Sequence, residues 1–71
     1  MNQSELRRFF SGLSTSTLAR VRLALLSDRM RSIEAGASQS ELYRHNRYLN
    51  ALAEVQALRD AQAWARSVSA L

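Results

Sequence analysis

Between Ser38 and Ser69 the chain contains neither glycine nor proline. Ala, Leu, Arg, Gln and Glu dominate this stretch, and each enters a helix at little cost in side-chain freedom. One unbroken helix is expected over about 38–69, roughly 45 Å long at 1.5 Å per residue. In a chain of 71 residues, a helix of that length leaves few architectures open. The remaining segments must pack along it, so the fold class is all-α.

The residues upstream divide the rest into two further helices. Gly36 is placed to stop a helix, because no Cβ obstructs the left-handed conformation that a helix end adopts. Ser38 and Glu41 stand at capping-box spacing and restart the next helix at once, each offering a partner to an amide of the other's turn. The run Ser14-Thr15-Ser16-Thr17 disfavours a helix interior and supplies several hydroxyl N-caps, which predicts a second helix over about 16–35. Asn2 and Glu5 cap a short first helix over about 4–12, with Leu6, Phe9, Phe10 and Leu13 on one face. The whole chain, 1–71, is expected to form a single helical domain, without repeats or linkers.

Apolar spacing predicts how the two long helices meet. Ala19, Leu23, Leu26, Met30 and Ile33 alternate spacings of four and three, as do Leu42, His45, Leu49, Leu52 and Gln56 in the same band of spacings. An antiparallel hairpin pairs Ile33 with Leu42, Met30 with His45, Leu26 with Leu49, Leu23 with Leu52 and Ala19 with Gln56. Every rung then shares one register about the Ala35-Gly36-Ala37-Ser38 turn. A second apolar set, Leu18, Val21 and Leu25, lies about 140° round the second helix. Tyr48, Ala51, Val55 and Leu58 lie about 115° round the third. Both sets fall on one flank, and covering it by dimerisation into a helical bundle is the expected completion of the fold. Beyond Ala57 the apolar face becomes Ala57, Ala61, Trp64, Val68 and Leu71. The first helix is expected there, with Leu6 near Val68 and Phe10 near Trp64.

Composition narrows the function. The chain has no Cys, a single His and no carboxylate cluster at ligand spacing, so neither a disulfide nor a metal centre is expected. Catalysis is not expected either: there is no Ser/His/carboxylate or Cys/His constellation and no glycine-rich phosphate loop. No cofactor is called for. No apolar run is long enough to span a bilayer and no leader pattern opens the chain, which makes the cytoplasm the expected compartment. All ten basic residues are Arg and the net charge is +4. Such arginine-only usage is common in GC-rich bacterial or phage coding.

Arginine binds carboxylates bidentately and stacks on aromatic rings, so it serves protein interfaces as well as phosphate. Arg22 and Arg29 sit between the two apolar stripes, and Arg29 is placed to stack on Tyr48. Tyr43, Arg44 and Arg47 crowd the start of the third helix beside the turn, with Asn46 nearby. These five residues, Arg22, Arg29, Tyr43, Arg44 and Arg47, are the candidate contacts for a protein partner. The flank of Leu18, Val21, Leu25, Tyr48, Ala51, Val55 and Leu58 is the candidate interface for a second copy or a partner. His45 is expected to be a hydrogen-bonded structural residue in the seam.

Two alternatives use the same residues differently. Arg44, His45 and Arg47 lie where a helix-turn-helix protein places base contacts, with Arg7, Arg8, Arg20 and Arg31 available to phosphates. Against a DNA-binding regulator stand the length of the third helix and the acidic residues Glu5, Asp28 and Glu34 interspersed among the arginines. The other alternative is a structural subunit of a larger assembly. Arg7-Arg8-Phe9-Phe10 also has the chemistry of an interfacial membrane helix but is short for it. In architecture alone, a helical hairpin of this size resembles chaperone subunits of type III secretion needles and small phage proteins that inhibit host regulators. That resemblance implies an inhibitor, anti-activator or chaperone-like adaptor, and it transfers no residue roles.

Overall fold

A computed structural model describes residues 1–70. It contains three helices, α1 Gln3–Ser11, α2 Thr15–Glu34 and α3 Gln39–Ser69, and no strand among the described residues. Each helix starts on a side-chain cap. Asn2 Oδ1 accepts from the Glu5 amide at 2.9 Å, Ser14 Oγ from the Thr17 amide at 3.2 Å and Ser38 Oγ from the Glu41 amide at 3.3 Å. Only the serine half of the Ser38/Glu41 box is formed among the described residues. The Glu41 carboxylate makes no return bond to the Ser38 amide.

The end of α2 is a Schellman motif. Gly36 takes a φ of +83°, the Ala37 amide donates to the Ser32 carbonyl at 2.9 Å, and the Gly36 amide donates to the Ile33 carbonyl at 3.0 Å. Two carbonyls that the helix leaves without partners are thereby satisfied, and the chain reverses within a few residues. Helices α2 and α3 then lie antiparallel, tied by Arg29 Nε donating to Asn46 Oδ1 at 3.0 Å. This pair keeps the register predicted for the hairpin rungs, but α2 is turned on its axis.

The turn exchanges the roles of the two apolar stripes. Leu18 is fully buried, and Val21 and Leu25 pack beside it against Ala51, Leu52, Val55 and Tyr48. On the expected seam, by contrast, Leu23 is 65% exposed, Met30 61%, Ile33 47% and Leu26 37%. The flank assigned to a dimer is therefore the core of one chain, with Leu58 alone of its seven members left outside. The physical cause is α1. Its buried Leu6 and Phe10 supply a third apolar wall over Ala51 and Val55, so α2 does best by facing α1 and α3 together.

The placement of α1 also departs from expectation. Arg47 donates to the Met1 carbonyl at 2.7 Å, Arg7 pairs with Glu54 at 3.2 Å, and Arg59 donates to the Ser11 and Leu13 carbonyls. Partners advance together along both helices, so α1 runs parallel to α3 over residues 47–59. It does not reach Trp64 and Val68. An antiparallel match of apolar residues would set α1 on a part of α3 that the fold leaves bare, whereas Leu6 and Phe10 are buried against Ala51 and Val55.

Every described residue of α3 from Asp60 onward is exposed, and the helix projects past the other two as a free arm. The molecule measures 51 × 22 × 17 Å with a radius of gyration of 14.6 Å. A compact domain of this length would have about 11 Å. No helix among the described residues is long and apolar enough to cross a membrane.

Candidate functional site

Two exposed apolar surfaces stand out. The first is the α2 stripe of Ala19, Leu23, Leu26, Met30 and Ile33, whose alternating spacings of four and three keep it on one side of the helix. On α3, Leu42, Leu49, Ala53, Ala57 and Trp64 form a ridge within a sector of about 80°, at 100° per residue. Arg47, Ala51 and Glu54, which meet α1, lie on the other side of that helix. Arg29 lies between the buried line and the stripe of α2 and bonds Asn46 on the α3 ridge. Stripe and ridge therefore adjoin, forming one face on the side of the hairpin away from α1.

The second surface is the α3 arm, where Trp64 is 70% exposed and Val68 44%. Ala57, Ala61, Trp64 and Val68 share a helical face as the spacing indicated, while Leu71 lies outside the described residues. A tryptophan on a projecting helix carries a large apolar area whose removal from water rewards binding.

The five proposed partner contacts are not brought together. Arg29 is half-buried and committed to Asn46, so it does not serve the expected stack on Tyr48. Arg47 is spent on the Met1 carbonyl. Arg22, Tyr43 and Arg44 face solvent, Tyr43 at 63%, and have no side-chain hydrogen bond among the described residues. Arg31 pairs with Asp28 and Arg7 with Glu54, both on the surface. Half the arginines thus serve the fold or a neighbouring carboxylate.

His45 also departs from expectation. Its Nδ1 is buried and has no hydrogen-bond partner, although Ser32, Ser40, Glu41 and Arg44 line a shallow depression beside the residue. Among the described residues no three His, Cys, Asp or Glu side chains converge on a point. Arg59 is the residue that sequence reasoning missed. It fastens the α1–α2 connection to α3 by donating to the Ser11 carbonyl, which the end of α1 leaves unpaired, and to the Leu13 carbonyl in the connection itself. Its partners lie 46 and 48 positions away, beyond the reach of local patterns.

No protein-family model matches the chain, and no curated protein or solved structure matches it either.

Proposed function

We propose that this protein is a non-enzymatic interaction module, a homodimer that presents helical surfaces to a protein partner and thereby inhibits or chaperones it. The observation that carries this reading is the distribution of apolar side chains. Among the described residues six hydrophobic side chains are buried, whereas ten large ones are exposed, with Leu23, Leu26, Met30 and Ile33 in one line along α2. Contiguous apolar surface of that kind marks interaction sites. The α3 arm is the partner-binding element in this reading, with Trp64 as its anchor.

The alternative of a DNA-binding regulator draws less support. Its would-be recognition helix is the 31-residue α3, packed along α2 and, over residues 47–59, along α1, and Arg47 is tied to the Met1 carbonyl. Affinity capture at high salt tests the choice, with Trp64→Ala as the control. Recovery of one stoichiometric protein by the unaltered chain and its loss with Trp64→Ala supports the module. Recovery of DNA that is lost steeply as salt rises would overturn it.

A further inference from the structure

We infer that the exposed stripe of α2 is the contact between two copies of this chain, with the two α2 helices antiparallel about a two-fold axis at Leu26–Ser27. This rests on the homodimer part of the function proposed above and gives it a surface and a geometry.

The stripe is close to palindromic. Leu23 and Met30 lie on either side of Leu26–Ser27 at matching distances, and Ala19 and Ile33 fall within one residue of doing so. A self-complementary patch of this kind is what a two-fold interface requires, since each copy supplies both halves of every contact. The charges along the stripe's outer edge select the direction. Arg20, Ser27 and Glu34 occupy that edge at seven-residue intervals and are exposed; neither Arg20 nor Glu34 has an ion pair among the described residues. In the antiparallel arrangement Arg20 of each copy meets Glu34 of the other, twice by symmetry, and Ser27 meets its own copy. A parallel pair would set Glu34 against Arg29, which is already tied to Asn46, and would leave Arg20 facing Thr15.

The inner edge of the stripe is closed by α3, so the face is open on the side where Arg20 and Glu34 stand. Leu42 and Leu49, half-buried on the adjoining ridge, extend the apolar contact on each copy. The resulting assembly has a four-helix centre of α2 and α3 from each copy, with α1 on the outside. The two α3 arms, each with its Trp64, project from opposite ends.

Sedimentation velocity over a concentration series, with helical circular dichroism as the folding control, tests this. The unaltered chain is expected to be a dimer. Leu23→Glu and Met30→Glu should be monomers of unchanged helicity, because both side chains are exposed within one chain. Arg20→Glu should raise the dissociation constant about tenfold, and adding Glu34→Arg should restore it. With no cysteine in the chain, Ser27→Cys should form an interchain disulfide on oxidation and Ala24→Cys should not. A monomeric unaltered chain would overturn the homodimer and the interface together. A dimer unmoved by Leu23→Glu and Met30→Glu, or a charge exchange without rescue, would overturn the α2 interface and leave the homodimer standing.

Discussion

At the scale of the residue, Gly36 shows a backbone requirement separated from a packing one. A Cβ built there meets nothing within 4 Å, yet φ is +83°. Gly36→Ala should therefore cost about 1–2 kcal/mol from conformation alone, measured as a lower urea midpoint with an unchanged slope. Ser38→Ala removes a single cap bond and should cost about 1 kcal/mol. His45 predicts the opposite sign. Its buried Nδ1 is unpartnered, so His45→Leu should raise stability by about 1 kcal/mol, and a fall in the thermal midpoint would contradict the orphaned-nitrogen account. The caps were legible because they act over three residues. The environment of Nδ1 was not, since it depends on how α2 is turned against α3.

At the scale of the element, α1 is small and decisive. Its two buried side chains, Leu6 and Phe10, complete the wall that holds Leu18, Ala51 and Val55 out of water. Truncating either should be severe, about 2–5 kcal/mol for Leu6→Ala and about 3–5 kcal/mol for Phe10→Ala, enough to unfold much of so small a domain in a denaturation experiment. Arg7→Ala, by contrast, removes an ion pair whose side chains are 48% and 50% exposed, and should change stability by no more than about 1 kcal/mol. Arg59→Ala should cost about 1–2 kcal/mol, because it strips a charged donor from two backbone carbonyls. The apolar face of α1 was readable from its period. Its parallel course along α3 was not, because the contacts that set it join residues 46 to 48 positions apart.

At the scale of the whole molecule, the core sits near the middle of a rod, with the Gly36 turn at one end and the α3 arm at the other. Ending the chain after Asp60 removes only exposed side chains among the described residues. The shortened protein should keep its thermal midpoint to within a few degrees, about 1 kcal/mol of stability, and lose the partner captured through Trp64. A large drop in midpoint would mean that the arm supports the fold, contrary to its exposure.

Local physics determined the three helices, their caps and the Gly36 turn, because helix propensity, capping and left-handed backbone are decided within a few residues of chain. The antiparallel course of α2 and α3 followed from the shortness of that turn. Which apolar stripe of α2 faces inward was beyond the sequence, since both stripes repeat at helical spacing and the one buried carries Arg29 and Ser32 farther along. Only the tertiary structure chose between them. Leu6 and Phe10 arrive from the far end of the chain to make a dry pocket on one side, and the stripe left on the other side is the surface this protein offers to its surroundings.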